Sequence, residues 1–254
     1  MLKRGGPKSL VRPKFLGRPN FLVAYPLGVI AKGLKKCYNG LHRPQGGPKR
    51  KKQTNKRKGK HKKTMEQLKM YWKAVPTEWP TAKPGWSYRR YNGSEADAQA
   101  WMAICRNGLL RPQDTREVFD TYILQKPGFA PDRLFFVEHE GRPVASITAL
   151  LEENGQGDLH MVGALPECRG QGVGGLLCRI AQASLWQCGC SGVWLTTDEF
   201  RVPAICSYLS AGFLPVEYAE EMEYRWDILL RFLGRTNVPF VNEQGQQIKL
   251  LNTL

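Results

Sequence analysis

The first 63 residues contain no aspartate and no glutamate. They carry 20 lysines and arginines, whereas residues 64–254 hold 18 basic residues and all 22 acids, a net of −4. The formal +16 of this 254-residue chain therefore belongs to its N-terminal quarter. The remainder has an ordinary, slightly acidic globular balance. Long apolar runs are also missing. The apolar stretch of the basic part, "FLVAYPLGVIA" (21–31), is interrupted by Pro26 and Gly28 and falls short of the ~20 residues a membrane helix needs. Its basic lead is too long, and its apolar part too broken, for a secretory signal. Paired cysteine spacing is the third absence. Seven cysteines are scattered, with one C-x-C at Cys188 and Cys190, and the four histidines do not cluster near it. Neither a zinc site nor a disulfide framework fits that pattern. The expectation is unpaired thiols in a reducing, cytoplasmic setting, no metal and no membrane partner.

What is present divides the chain by composition. Residues 1–63 are rich in Gly, Pro, Lys and Arg and end in "PKRKKQTNKRKGKHKK" (48–63). So much like charge with so little to bury predicts a disordered basic tail. Such a tail can contact nucleic acid non-specifically by neutralising phosphates. No aromatic side chain interleaves its densest run to stack on bases. Residues 64–84 read as a short helix, "MEQLKMYWKAV", and a proline-rich linker. A folded domain is expected over 85–234. "SYRRY" reads as a strand, and Ser94 caps a helix with Ala98, Trp101, Met102 and Cys105 on one face. "TREVFDTYIL" reads as a second helix, and "RLFFVEHEGRPVASITALLE" as a hairpin around a Glu-Gly turn. "DLHMVGAL" is a further strand, "VGGLLCRIAQASLWQ" a helix, "GVWLTTD" a strand and "RVPAICSYLSA" a helix. "FLPVEYAEEMEYRW" reads as final antiparallel strand material, and 235–254 as a C-terminal tail without usable signal. The expected class is mixed α/β: a mostly antiparallel sheet with one parallel crossover, flanked by helices.

The segment "LPECRGQGVGG" (165–175) fits two phosphate loops. Gly170, Gly172 and Gly175 spell G-x-G-x-x-G, the dinucleotide fingerprint, and Arg169, Gly172 and Gly174 spell R-x-x-G-x-G. Five residues separate the preceding strand from Gly170, only 79 residues follow Gly175, and the strands before it form a hairpin. A dinucleotide fold needs the reverse on each count. The second pattern accounts for its residues. Glycines at 170, 172 and 174 let backbone N–H groups turn toward a diphosphate, the next helix adds its positive end, and Arg169 adds a charge at the rim.

"VGALPECRGQGVGGLLC" followed by "VWLTTDEFRVPAICSYLSAGFLPV" resembles the GNAT superfamily of acetyl-CoA-dependent N-acetyltransferases, over roughly residues 86–228. Within it, T-D-x-F-R-x-P-A-I resembles a bacterial subgroup. The resemblance implies a GNAT fold with a splayed parallel strand pair and acetyl-CoA as co-substrate. It implies transfer of the acetyl group to a small-molecule or peptide amine by direct attack, as monomer or homodimer. The backbone of Val162, Gly163 and Ala164 would pair with the pantetheine arm. Main-chain N–H groups of Gly170, Gln171, Gly172, Val173, Gly174 and Gly175 would hold the diphosphate. Tyr208 matches the general acid, and its spacing to Gly212 and Phe213 follows the family. Arg201 stands where an asparagine is frequent, so it is assigned instead to a phosphate or an acidic substrate. The base is left among Asp158, near a position where some members carry glutamate, His160, Glu152 and Glu153. By strand periodicity Asp158, His160, Val162 and Ala164 share one face. Trp101, Phe119, Tyr122 and Trp226 are candidates for the acceptor pocket or the core. The other readings are a transferase using a different acyl-CoA, and a non-catalytic CoA-sensing or nucleic-acid-associated module.

Overall fold

The structure, a computed structural model, describes residues 66–253. The basic tail expected over 1–63 lies outside them.

Seven strands form one sheet in the order β2-β3-β4-β5-β6-β1-β7. Strands β2 (Trp86–Arg90), β3 (Leu134–His139), β4 (Arg142–Leu151) and β5 (Gly157–Ala164) run as an antiparallel meander. Strand β6 (Gly192–Thr197) pairs parallel with β5. Strand β1 (Leu68–Lys73) pairs antiparallel with β6 on one side and with the two-residue β7 (Leu214–Pro215) on the other. Helix α1 (Glu95–Cys105) lies on one face with α2 (Glu117–Phe119), which continues as a π turn over Asp120–Leu124. Helix α3 (Val173–Gln187) crosses the other face, with α4 (Val202–Ser210) packed on it. Two glycines identify the faces. A Cβ at Gly163 would touch Ile104 and Cys105 of α1, and one at Gly157 would touch Leu185 of α3.

Local chemistry fixes these elements. Ser94 accepts from the Asp97 backbone N–H at 3.2 Å and caps α1. The buried Asp97 carboxylate takes two bonds from Arg89, at 2.7 and 2.8 Å, so β2 and α1 are joined by a bidentate pair. Trp101 and Phe119, both fully buried, meet edge to face at 5.2 Å between ring centres. Together with Trp226, also fully buried, they are core; of the four aromatic candidates for an acceptor pocket only Tyr122 reaches the surface.

Three sequence expectations are corrected. Leu68–Lys73 is a strand, not a short helix. Leu68, Met70 and Trp72 are buried in the main core on one face, and Tyr71 is buried on the other against Val216, Val241 and the turn at Gly245. A strand covered on both faces loses the alternation by which strands are read. The segment after Pro215 is not strand material but helix α5 (Met222–Phe232), which buries Met222, Arg225, Trp226, Leu229 and Leu230. The tail after Gly234 folds as the hairpin β8 (Val238–Val241) and β9 (Gln247–Leu251), with Phe240, Val241 and Leu251 buried.

Candidate active site

Strands β5 and β6 are paired only at their start, Gly157 with Val193 and Asp158 with Trp194. Beyond that point they part, while β5 stays paired to β4 as far as Ala164 opposite Ala145. The edge of β5 from Leu159 to Ala164 therefore presents backbone groups to a gap rather than to a strand.

A bulge sits within that edge. Ser146 faces Gly163 and Thr148 faces His160, so two β5 residues, Met161 and Val162, oppose the single residue Ile147. Met161 takes φ = 52°, a left-handed conformation that costs a non-glycine residue roughly 1–2 kcal/mol. The bulge corrects the face expected from periodicity. Cross-strand partners share a face, so Asp158 and His160 lie on the α1/α2 face with Gly163. Val162 and Ala164 turn to the opposite face.

After β5 the chain makes a one-turn 3₁₀ helix, Pro166–Cys168, and enters the glycine loop. Gly170 (φ = 74°) and Gly172 (φ = 82°) are left-handed, and Gly172 caps a 15-residue helix. Successive left-handed and right-handed residues at a helix start turn N–H groups the same way, an anion-binding arrangement. Gly174 serves differently. It is already helical, and a Cβ there would come within 2.5 Å of the Ser207 Oγ on α4. Its missing side chain lets α3 and α4 meet. Gly175 is helical too, with the Arg179 guanidinium 3.4 Å from where its Cβ would be. Arg169 does not reach over the loop; its guanidinium donates to the Asn107 carbonyl at the end of α1, 3.2 Å away. Cations come from elsewhere. Lys83 donates to the Gln171 carbonyl at 3.2 Å and lies 4.4 Å from the centre of the Trp86 ring. With Arg179 these two side chains border a cleft of about 180 Å³ beside Gly172 and Val173. No motif tied Lys83 or Trp86 to the loop, because they come from the linker and the start of β2, far before it in the sequence, whereas Arg179 lies within α3 itself.

Tyr208 is buried on α4, edge-on to Phe213 with ring centres 6.1 Å apart. Burial, reinforced by the neighbouring Cys178, holds its phenol above the ordinary range, with Arg201 opposing. It is a protonated donor at neutral pH. Arg201 sits at the start of α4 and donates from Nε to Asp198 at 3.0 Å. The other Asp198 oxygen accepts from Gln67 at 3.1 Å. Glu199 is held by Arg225, whose side chain is 2% exposed and which also donates to the Glu66 carbonyl at 2.8 Å. Within "TDEFR" the three charged residues are thus each held by a partner, while Phe200 is exposed.

Asp158 and His160 are each pushed toward their neutral form. Burial, with Glu152 nearby, raises the Asp158 carboxyl to about 6 against the opposing Lys126. Burial lowers the His160 imidazole to about 4, although its bond to the Tyr122 carbonyl works the other way. The His160 Nε2 lies 2.9 Å from that carbonyl in the π turn. A carbonyl can only accept, so Nε2 carries the proton and Nδ1 is the free acceptor. Glu153 is an exposed turn residue. Among the described residues no His/Cys/Asp/Glu group could hold a metal. No described helix is long and apolar enough to cross a membrane.

Residues 98–213 match the sequence model of the Acetyltransferase (GNAT) family. That span begins in α1 and ends just after α4, so it includes the parted strands, the glycine loop and Tyr208. A solved GCN5-related N-acetyltransferase from Sphaerobacter thermophilus overlays with a TM-score of 0.50 and 20% identity, over 59% of this chain and 49% of that one. The sheet is therefore a GNAT fold. A mycothiol acetyltransferase of Frankia casuarinae is 28% identical over 147 residues, covering 52% of this chain and 42% of the relative. One from Thermomonospora curvata is 32% identical over 100 residues, covering 39% and 33%. The chain thus spans less than half the length of these curated relatives.

Proposed function

We propose that the protein is an acetyl-CoA-dependent N-acetyltransferase. Its acceptor is the amine of a small molecule or peptide, and it belongs to the GNAT subgroup carrying T-D-x-F-R-x-P-A-I. The observation that carries this reading is the parting of β5 from β6 directly before two left-handed glycines and a helix N-terminus. An extended amide-bearing arm would pair with the open β5 edge, and the loop suits a diphosphate. The family's acetyl-CoA has both parts, so the residues present fit it.

The thioester supplies an activated acetyl group. The β5 edge at Val162, Gly163 and Ala164 aligns the arm, and loop N–H groups from Gly170 to Gly175 hold the diphosphate. Lys83 and Arg179 add charge that Arg169, occupied at Asn107, does not. Asp158 is the base best matched to neutral pH, since a group near 6 is ionised yet still basic. It takes the amine proton; the amine nitrogen bonds to the acyl carbon and the carbon–sulfur bond breaks. Main-chain N–H at the Met161–Val162 bulge stabilises the charge developing on the acyl oxygen. Tyr208, held protonated, donates a hydrogen bond to the departing thiolate, and Arg201, paired with Asp198, stands near the phenol.

The test is thiol release from acetyl-CoA with a panel of primary amines. Amine-dependent release accompanied by N-acetylated product supports the proposal. Tight acetyl-CoA binding with no transfer to any amine favours the CoA-sensing alternative.

A further inference from the structure

The face of the sheet that carries Asp158 is only half covered. Helix α1 and the π turn lie over β4 and β5, where the Tyr122 carbonyl meets His160. On the far side the β8–β9 turn lies against Tyr71, so closely that a Cβ at Gly245 would enter its ring. Between these walls the floor is β6. Thr196, in the middle of a seven-stranded sheet, is exposed, and Trp194 is half-buried. A side chain left open on an interior strand marks a place built to be covered by something else.

Register fixes which groups border that floor. Asp158 is the parallel partner of Trp194, and Trp194 is the antiparallel partner of Tyr71. Lys69, two residues from Tyr71 on the same face, places its ammonium 4.2 Å from the centre of the Trp194 ring. The Tyr71 and Trp194 rings are 4.5 Å apart, and Trp194 is fixed by its indole N–H bond to Gln156. A carboxylate and an ammonium therefore border the Trp194 ring from two sides, their backbones two strand spacings across and two residues along, about 12 Å apart.

Resting on the acetyltransferase reading, we propose that the acceptor is an amine that also carries a carboxylate, the two separated by a chain of several atoms. Its amine lies at Asp158, its apolar body passes the Trp194 side chain over the exposed Thr196, and its carboxylate meets Lys69. Lys69 is now paired with Glu243 at 3.0 Å, on the exposed hairpin turn. An exposed pair of this kind contributes little, so an incoming carboxylate displaces Glu243 at small cost. Glu152 and Lys126 flank the Asp158 end and leave the Lys69 end unaffected. The strand carrying Lys69 is the one inserted between β6 and β7, which gives that insertion a role in acceptor choice.

The experiment is calorimetric binding of 6-aminohexanoate and of hexylamine to the full chain, read without turnover so that failure of transfer and failure of this site are told apart. The expected result is 6-aminohexanoate binding about tenfold tighter than hexylamine, the scale of one well-placed ion contact. Lys69→Gln should remove that advantage. Glu243→Gln, on the surface, should increase it severalfold and keeps the test valid if the Lys69 variant does not fold. Equal binding of the two amines, or an advantage indifferent to both substitutions, overturns the proposal.

Discussion

Gly174 of α3 lies against Ser207 of α4, so close that any Cβ at 174 would come within 2.5 Å of the serine hydroxyl. The glycine loop is thus two devices in series. Gly170 and Gly172 bend the backbone, and Gly174 admits the helix that carries Tyr208.

The first prediction separates them. Gly174→Ala should destabilise the fold by about 1–3 kcal/mol, the cost of overpacking a tight contact. Ser207→Gly, which removes both atoms met by the new methyl, should restore most of it. Thermal unfolding of the two single variants and the double variant checks this; additive losses would place the strain elsewhere.

Gly172→Ala should behave differently. Nothing lies within 4 Å of its Cβ position, so only the left-handed backbone resists the change, at about 1–2 kcal/mol. Under the proposed function, the new methyl stands where the backbone would approach a diphosphate. Acetyl-CoA affinity is expected to fall by more than tenfold, about 1.4 kcal/mol, with the fold retained. Parallel melting and binding measurements read the two effects.

Tyr208→Phe keeps the edge-on contact with Phe213 and removes only the proton donor. Turnover should drop about a hundredfold, the lower end for a positioned acid, with acetyl-CoA affinity unchanged. Because the phenol is held above its ordinary range, wild-type kcat should show no alkaline limb from this group between pH 7 and 9. A loss of affinity with unchanged kcat would make Tyr208 a packing residue.

Asp158 and His160 give opposite pH signatures. The Asp158 carboxyl titrates near 6 in the fold, above its unfolded value, so its contribution is present at low pH and lost as pH rises through 6. The His160 imidazole titrates near 4, below its unfolded value, so its contribution is present above about 6.5 and lost as pH falls toward 4. Between pH 4 and 6 the two offset each other. Asp158→Asn should therefore make acid destabilisation steeper than in the wild type, and His160→Gln should make it shallower. In activity, Asp158→Asn should abolish a rise of kcat/KM centred near pH 6. Denaturant titrations and rate profiles across that range check both.

Much of the fold was legible because its helices have one apolar face and its glycines sit at chain reversals. Ser94, the Glu140–Gly141 turn and the loop at 170–172 each declared an element boundary by local chemistry. What failed was set by distant partners. Leu68–Lys73 lacks clean alternation because both its faces are covered, on one side by Val216 and Val241, more than a hundred residues away. The bulge at Met161 breaks the period of two at the one place where the site needed it, so Val162 was put on the wrong face. Gln247–Leu251 is a strand whose residues are mostly exposed or half-buried, too faint a pattern to read alone. Of the proposed site, the glycines at 170 and 172 stand out by spacing, whereas roles for Tyr208 and Asp158 come only with the family resemblance. Lys83, Trp86 and Lys69 could not be found in either way, since only the folded course of the β1 segment and its linker brings them there.

The central claim is that the gap between β5 and β6, with the loop that follows, holds acetyl-CoA. Calorimetric titration of the full chain tests it most directly. The account predicts one site per chain with micromolar or tighter affinity, weakened more than tenfold, about 1.4 kcal/mol, by Gly172→Ala. A folded protein that gives no binding heat, or binds equally well with that methyl in place, would contradict it.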